Sequence, residues 1–318
     1  MLLATAWFHP ATAQDQPTLS FPVQCDLGAT CFIQQLVDTD SGPDARDPFC
    51  GAASYDGHTG TDIRVPQLLD TAVHGTVVAA ANGTVRAIRD GQADRFVDDE
   101  SDRAAVAGRE CGNGVVIDHA GGLQTQYCHL AQGSVAVSVG DTVSVGQTLG
   151  AIGLSGLTQF PHLEFLVRRD DEIIDPFSGQ LADGDRCGAG ESLWSDQRVT
   201  DQVTEMTRMI GAGFSSQPVE HDTLIFADPV GLYPGAEAIV GWVWAINTQK
   251  GDQFRFSLSG PGGFTFEHAS DPLERGQATS SLFAGRREAI VPGTYAGTVE
   301  LVRGDTAIAT RTFEATVE

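Results

Sequence analysis

Short runs rich in valine and isoleucine, broken by glycine, dominate the chain from residue 51 to about residue 186. They show the period-two alternation or the turn glycines of antiparallel strands. The runs are GTVVAAANGTVRAI, GNGVVIDHAGG, LQTQYCHL, SVAVSVGDTVSVGQTLGAIG and HLEFLVR. This pattern predicts an all-β domain over residues 51–186.

A second set of alternating runs begins after Pro218 and continues to the end of the chain. About a hundred residues with short strands and a turn signal roughly every ten residues are typical of an immunoglobulin-like β-sandwich. The runs are TLIFAD, AIVGWVWAI, FRFSLSG, TYAGTVELVRG and TAIATRTFEATVE. We therefore predict an all-β protein whose second domain is such a sandwich over residues 218–318.

The connector between the two domains, residues 187–217, has a different period. Its apolar residues Val199, Val203, Met206 and Ile210 fall at helical spacing after a serine and an aspartate, either of which could cap a helix. The spacing predicts one amphipathic helix in the connector.

The N-terminal part of the chain carries the signals of export. Residues 1–13 combine an apolar run with an Ala-x-Ala cleavage pattern, which predicts a signal peptide. A plain apolar terminus is the alternative, because the usual basic segment is missing. Residues 14–50 show little periodicity and are predicted to be an N-terminal extension that contains three of the cysteines.

The cysteines indicate an oxidising compartment outside the cytoplasm, in agreement with the predicted export. The chain has six cysteines and no Cys-x-x-Cys pair, which favours disulfides over zinc thiolates. They are Cys25, Cys31, Cys50, Cys111, Cys128 and Cys187. We expect a periplasmic or secreted protein.

Charge and hydropathy exclude two classes of function. The chain has 42 acidic against 19 basic residues, a formal net charge of −23, and its arginines are scattered along the sequence. Such a balance without a basic patch disfavours nucleic-acid binding. After residue 13, no segment approaches the ~20 continuous apolar residues of a membrane span.

Candidate chemistry begins at the segment GHTGTD, where His58 and Asp62 lie four residues apart with glycine between them. Imidazole nitrogen and carboxylate oxygen are both zinc ligands, and this spacing can bring both onto one cation. Taken alone, such a segment is more often a polar turn before a strand. Two later segments, YCHL and PHLEF, add His129, His162 and Glu164. Residues 162 and 164 would face the same side of a strand. Three histidines and two carboxylates at the polar ends of a small β-core are therefore predicted to converge on one site.

Over residues 51–177 the sequence resembles the M23 peptidases, the family of lysostaphin and LytM-like enzymes. The segment HTGTDIRVP is similar to the family's His-x-Gly-x-Asp motif, and VVAAANGTV to the hairpin that follows it. GNGVVIDHAGGLQTQYCHL is similar to the strand pair that ends in Tyr-x-His-Leu. SVGDTVSVGQTLGAIGLSG and FPHLEFLV then fall in the order of the remaining family elements, the last at the His-x-His position.

The resemblance implies a role for each of these residues. His58 and Asp62 would be ligands of one Zn²⁺ per chain, and His129 and His162 would be catalytic residues that position water and move protons. The family normally has histidine where this chain has Glu164, which would then be the third metal ligand. Carboxylate oxygen is an accepted zinc ligand.

The implied function is that of a zinc metalloendopeptidase that hydrolyses peptide stems or cross-bridges of peptidoglycan. The alternative is a degenerate, metal-free M23 module that binds cell wall or activates a partner wall hydrolase. A third class is a carrier or adhesion protein, in which the C-terminal sandwich engages a protein partner.

One disulfide can be predicted from the strand pattern. Residues 113–118 and 123–130 form a predicted hairpin, which brings Cys111 close to Cys128 near the end of the second strand. We predict that these two cysteines are bonded and brace the strand that presents His129. The pairing of the other four cysteines stays open.

Overall fold

The computed structural model describes residues 17–182, residue 188 and residues 190–318. The predicted signal peptide over residues 1–13 lies outside these ranges, as does Cys187. Within the described ranges, no helix has the length and apolar character needed to cross a membrane.

The first part of the chain forms two antiparallel sheets. Its strands are β1 (Val23–Gln24), β2 (Phe32–Gln35), β3 (Thr61–Arg64), β4 (Thr76–Val78), β5 (Gly83–Arg89), β6 (Asn113–Asp118), β7 (Leu123–Leu130), β8 (Thr142–Val143), β9 (Thr148–Ala151), β10 (His162–Arg169) and β11 (Glu172–Ile173). The larger sheet has the order β2-β3-β10-β7-β6-β5-β8, with β11 paired to β10, and the smaller has the order β1-β4-β9. Strands β3, β10 and β7, which carry the candidate motifs, are therefore neighbours.

Alternation along the strands builds the core of this first part. On β10, Leu163 and Phe165 are fully buried in the same apolar cluster as Ile63 of β3 and Tyr127 of β7. His162 and Glu164 of β10, and Asp62 of β3, alternate with these residues and lie on the opposite face of the sheet. One face of the large sheet thus packs the core, and the other is left for the polar candidates.

The last part of the chain forms a second pair of antiparallel sheets. Its strands are β12 (Arg208–Ser215), β13 (Ala238–Thr248), β14 (Gln253–Ser259), β15 (Thr265–Ala269), β16 (Gln277–Arg287), β17 (Gly293–Arg303) and β18 (Thr306–Val317). One sheet has the order β12-β13-β16 and the other β15-β14-β17-β18. Phe254, Phe256, Tyr295 and Val299 belong to the apolar cluster that these strands bury. The prediction of an all-β chain with a C-terminal β-sandwich is confirmed.

Helices are few and short, as the sequence indicates. They are α1 (Thr71–His74), α2 (Glu100–Val106), α3 (Gln197–Gln202) and α4 (His221–Phe226), with 3₁₀ turns at Leu68–Asp70, Ala120–Gly122 and Pro261–Gly263. The side chain of Asp99 caps α2 by accepting a hydrogen bond from the backbone N–H of Asp102.

The helix predicted in the connector is shorter than its apolar spacing indicates. Asp196 caps α3 as expected, but the helix ends at Gln202, and Ile210 lies in strand β12 instead. Pairing with β13 decides this outcome, because Gly211 and Gly213 are poor helix formers and leave room for the indole ring of Trp242. A Cβ atom at Gly213 would lie 3.0 Å from that ring.

The run TLIFAD was predicted as a strand of the sandwich, and this prediction is wrong. Its residues Thr223–Phe226 form most of α4, which buries Leu224 and Ile225. Short apolar runs do not distinguish a strand from one helical face, and here packing selects the helix.

The N-terminal segment contributes strands that its weak periodicity did not predict. Strand β1 pairs with β4, and β2 pairs with β3, so residues 23–24 and 32–35 extend both sheets of the first part. Because β2 lies next to β3, the segment reaches the strand that follows His58.

A third apolar cluster joins the two parts of the chain. Phe32 of β2 packs with side chains from β12, the segment around α4, and β13; they are Ile210, Val219, Leu224, Ile225, Trp244 and Ile246. Phe96 packs against the same cluster and meets Phe226 of α4 edge to face. The sandwich is therefore in direct apolar contact with the first part of the chain.

Two disulfides lie within the described residues. Cys111 is bonded to Cys128 with a Cα–Cα distance of 4.8 Å, as predicted from the hairpin. Cys25 is bonded to Cys31, and Cys50 is also disulfide-bonded. In the described part of the chain no cysteine is free.

Replacing Cys111 and Cys128 together by serine is expected to lower the free energy of unfolding by about 3 kcal/mol. The bond spans a sequence separation of 17 residues and restricts the unfolded chain accordingly. Urea unfolding without reductant measures the loss. The matched control replaces Cys25 and Cys31, whose separation is only 6 residues, and should cost about 2 kcal/mol. A larger loss in the control would contradict the chain-entropy explanation.

Candidate active site

The register of three adjacent strands brings two carboxylates to one point. Asp62 on β3 lies directly opposite Glu164 on β10, and Glu164 in turn lies opposite Cys128 on β7. All three belong to the face of the sheet that points away from the core. His162 is two residues before Glu164 on the same strand and therefore shares that face.

Strand alternation alone would turn His129 toward the wrong face. Residues 125 and 127 of β7 are buried in the core, and residue 129 should follow them. Instead His129 has a left-handed backbone with φ of 64°, next to an irregularity in the pairing of β6 and β7. This bulge turns the imidazole to the face of Glu164, and Gly114 opposite permits it, because a Cβ there would lie 2.4 Å from the carbonyl oxygen of Tyr127.

His58 is held by the segment that follows β2. The backbone N–H of Asp38 donates to the carbonyl oxygen of His58 at 2.8 Å, and the carboxylate of Asp38 accepts from the backbone N–H of Gly57 at 2.9 Å. Gly60 in the same turn lies against Glu164, since a Cβ at that position would be 2.8 Å from Cγ of the glutamate. The turn thus presents His58 and leaves space for Glu164.

The three histidines share one hydrogen-bonding arrangement. Nδ1 of His58, His129 and His162 each lies 2.8–2.9 Å from a backbone carbonyl oxygen, those of Leu36, Ser155 and Phe160 respectively. A carbonyl oxygen can only accept, so Nδ1 carries the proton in each ring. Nε2 is therefore the atom that each ring presents to the site.

The Nε2 atoms converge on the two carboxylates. Nε2 of His58 lies 3.0 Å from Oδ1 of Asp62 and 3.9 Å from Oε1 of Glu164. Nε2 of His162 lies 3.6 Å from the same Asp62 oxygen, and Nε2 of His129 lies 3.5 Å from Oε2 of Glu164. The structure thus brings together all five candidate residues of the sequence analysis.

The charges around the site keep His58 protonated and Asp62 ionised. Burial alone would lower the pKa of His58, but the charges of Asp62 and Glu164 and the hydrogen bond to Asp62 raise that pKa to about 9. Burial would raise the pKa of Asp62, and the facing histidines lower it instead. Without a metal, His58 and Asp62 are therefore a buried ion pair at neutral pH.

The other two histidines are neutral. Burial lowers the pKa of His162 to about 4, although the charge of Asp62 acts in the opposite direction. Burial also lowers the pKa of His129. The imidazoles of His129 and His162 thus offer an unprotonated Nε2 to the site at neutral pH.

The pKa of Glu164 is shifted in the other direction. Burial and the nearby charge of Asp62 raise it.

Among the described residues, no group of three or more histidine, cysteine or acidic side chains is already arranged to hold a metal ion. His58 and Asp62 are hydrogen-bonded to each other through Nε2 and Oδ1, so an ion would have to replace that hydrogen bond. The donor atoms suit zinc, which accepts imidazole nitrogen and carboxylate oxygen as ligands. Nε2 of His58 lies within 3.9 Å of an oxygen of Asp62 and of an oxygen of Glu164.

A cavity of about 340 Å³ opens beside His58. It is lined by the segment after β2, the turn that carries His58, strand β11 and the residues that follow β11; the lining includes Val37, Asp38, Thr59, Glu172 and Ile173. The cavity is therefore adjacent to the site through His58.

Two aromatic contacts of the site were not predicted from the sequence. Tyr55 is half-exposed and stacks on His58 with ring centroids 4.4 Å apart. Phe160 stacks on His162 with ring centroids 4.3 Å apart. Each aromatic residue lies only two or three positions before its histidine, and this closeness in sequence was the signal that could have predicted the contact.

The first part of the chain is similar to known proteins. Residues 56–176 match the model of Peptidase family M23. The DD-carboxypeptidase/endopeptidase Mpg of Neisseria meningitidis serogroup B and of Neisseria gonorrhoeae is 31% identical over 87 residues. The alignment covers 27% of this chain and 20% of each relative, so the chain spans about a fifth of these relatives. Residues 56–176 are therefore similar to the M23 peptidases.

Solved structures include similar chains. A zinc-containing peptidase from Vibrio cholerae is 22% identical with a TM-score of 0.30, and the match covers 46% of this chain and 41% of that one. The catalytic domain of the antimicrobial peptidase lysostaphin from Staphylococcus simulans is also 22% identical, with a TM-score of 0.28. That match covers 42% of this chain and 84% of the lysostaphin domain.

Proposed function

We propose that the chain is a zinc metalloendopeptidase that hydrolyses peptide cross-links of peptidoglycan. The observation that carries the proposal is the convergence of three Nε2 atoms and two carboxylates, with every Nδ1 tied to a backbone carbonyl. Such an arrangement fixes the rings and their tautomers before any ligand arrives, which is what a metal-assisted hydrolytic site requires.

Zinc would be held by Nε2 of His58 and by carboxylate oxygens of Asp62 and Glu164. These donors fit the ion, since zinc sites accept mixed nitrogen and oxygen ligands and catalytic ones keep a position open. When bound, zinc acidifies a water molecule and polarises the amide carbonyl. The carbonyl of Leu36, which accepts from Nδ1 of His58, orients that ligand.

His129 and His162 would move the protons of the reaction. Both rings are buried and neutral, and both direct an unprotonated Nε2 toward the carboxylates. One imidazole can accept the proton of the attacking water, and an imidazole protonated in that way can donate to the leaving amine. Their ring centroids lie 4.7 Å apart, so both can reach one scissile bond.

Two further observations support the substrate and the compartment. The relatives from Neisseria are named DD-carboxypeptidase/endopeptidase, which fits peptide stems or cross-bridges of peptidoglycan as the substrate. The disulfides Cys25–Cys31 and Cys111–Cys128 fit an oxidising compartment, and we propose that the protein is periplasmic or secreted.

A metal-free wall-binding or activator module is the second candidate. It is favoured by two observations: glutamate stands at the position of the family's third ligand, and His58 and Asp62 already neutralise each other as an ion pair. In that protein the C-terminal sandwich would be the surface that engages a protein partner.

Metal content decides between the two candidates. Protein purified in its oxidised form without added metal is expected to contain about one zinc per chain by elemental analysis, as high-affinity sites do. Peptide hydrolysis should disappear on chelation and return with added zinc. Occupancy near zero after zinc addition, in protein whose disulfides are intact, would assign the chain to the metal-free class.

Zinc binding is also expected to release at least one proton per ion at pH 7. His58, with its pKa raised to about 9, is protonated there and must lose that proton to bind zinc. The apparent affinity should therefore rise about tenfold per pH unit between pH 6 and 8. Calorimetry in two buffers of different ionisation enthalpy counts the protons. Release of none would show that His58 is not a ligand.

A further inference from the structure

Arg64 is a buried cation with few polar partners. It lies on β3 two residues after Asp62, so the two side chains share a face of the sheet, and it is 0% exposed. Its Nη1 donates to Oε1 of Gln34 at 3.0 Å. Within the described part of the chain, its Nε and Nη2 have no hydrogen-bond partner. A buried guanidinium with one hydrogen bond needs another source of stabilisation.

Two aromatic rings supply that stabilisation. The guanidinium carbon of Arg64 lies 4.8 Å from the ring centre of Phe160 and 4.4 Å from that of Trp244. Both distances are within the range of cation–π attraction, which strengthens when the cation is removed from water. Arg64 is thus held between a residue of the first part of the chain and a residue of the sandwich.

Phe160 also contacts His162. Its ring stacks on the imidazole at an interplanar angle of 25°, and its carbonyl oxygen accepts the proton of Nδ1 at 2.9 Å. Arg64 is also the register partner of His162 across β3 and β10. Phe160 thus contacts both the imidazole of His162 and the guanidinium of Arg64.

Trp244 is fixed by the sandwich. It lies on β13, is buried, and donates from Nε1 to Oγ1 of Thr279 at 3.0 Å. A second connection runs from Arg64 through Gln34, whose Nε2 donates to the carbonyl oxygen of Ala278 at 3.2 Å. Two routes therefore connect the sandwich to Arg64, one aromatic and one hydrogen-bonded.

We propose that Arg64 and Trp244 are positioning residues through which the C-terminal sandwich holds the imidazole of His162 in place. The sandwich is then a part of the active site of the neighbouring domain. The effect on turnover rests on the proposed peptidase function, whereas the effect on the imidazole does not.

The test uses the full chain and the variants Trp244→Leu and Arg64→Met. Each is expected to lower kcat about tenfold with KM changed less than about twofold, because a small displacement of a proton-transfer group is costly. Zinc content should stay at the wild-type value. Trp244→Phe, which keeps an aromatic face over the guanidinium, should restore at least half of the turnover. Trp242→Leu is the matched control and should retain wild-type kcat.

A spectroscopic readout separates this inference from the proposed function. The Cε1–H signal of His162, assigned by its loss in His162→Gln, should move in Trp244→Leu and in Arg64→Met but not in Trp242→Leu. This shift is expected even if the wild-type protein hydrolyses no peptide, in which case only the proposed function fails. If Trp244→Leu does not fold, Arg64→Met carries the test. An unmoved signal in a folded Trp244→Leu or Arg64→Met protein would overturn the inference.

Discussion

Replacing His162 by alanine is expected to lower turnover about a hundredfold or more, the usual effect of losing a general acid or base. The buried, neutral ring directs Nε2 toward Asp62 at 3.6 Å, and its Nδ1 is tied to the carbonyl of Phe160. If His162 moves protons and is not a ligand, zinc should remain bound. Steady-state kinetics together with elemental analysis of the same sample measure both quantities.

His58→Ala is the contrasting variant and should lose both zinc and activity. It removes the nitrogen donor that lies between Asp62 and Glu164. His74→Ala, on helix α1 and outside the site, serves as the control and should retain both. Loss of zinc in the His162 variant with zinc retained in the His58 variant would reverse the assignment of the two histidines.

The alternation of apolar and polar residues predicted the parts of the site that regular strands present. In HLEFLVR, Leu163 and Phe165 had to enter the core, which left His162 and Glu164 on the other face. The structure shows this arrangement. The pairing of β10 with β3, which sets Glu164 opposite Asp62, is a long-range property that no local pattern contains.

His129 shows where this reasoning stops. Period-two alternation places it with Tyr127 in the core, and only the left-handed backbone at His129 turns it to the site. A bulge depends on the partner strand, here on Gly114 of β6, and the sequence of β7 does not reveal it. The sequence named His129 as a candidate and resemblance to the family gave it a role, but the strand pattern did not predict the face to which it points.

The contact between the two parts of the chain could not be predicted from the sequence either. Arg64 is the charged last residue of the short strand β3, and a charged residue there would ordinarily indicate exposure. Its burial requires Phe160 and Trp244, which are distant from it along the chain. The TLIFAD segment was predicted wrongly for a related reason, since the third apolar cluster that packs α4 forms only when the two parts meet.

Replacing Glu164 by histidine is expected to move the rising limb of the pH–rate profile to lower pH, by on the order of one unit. With Asp62 as the only carboxylate ligand the zinc site has a formal charge of +1, whereas ionised Asp62 and Glu164 together bring it to zero. A less positive site acidifies its water less. The wild-type protein should therefore favour the alkaline side of neutral pH, and the histidine variant should bind zinc at least as tightly.

Glu164→Gln is the matched control, because it removes the charge while keeping the size and shape of the side chain. An amide oxygen is a weaker zinc ligand than a carboxylate, so zinc affinity should fall in this variant while it is maintained in Glu164→His. Oxygen-rich ligation also predicts that manganese supports activity better in the wild type than in Glu164→His. If the histidine variant keeps both the wild-type profile and the wild-type activity, Glu164 does not touch the metal. The third ligand would then have to lie elsewhere, although Glu164 Oε1 is 3.9 Å from Nε2 of His58.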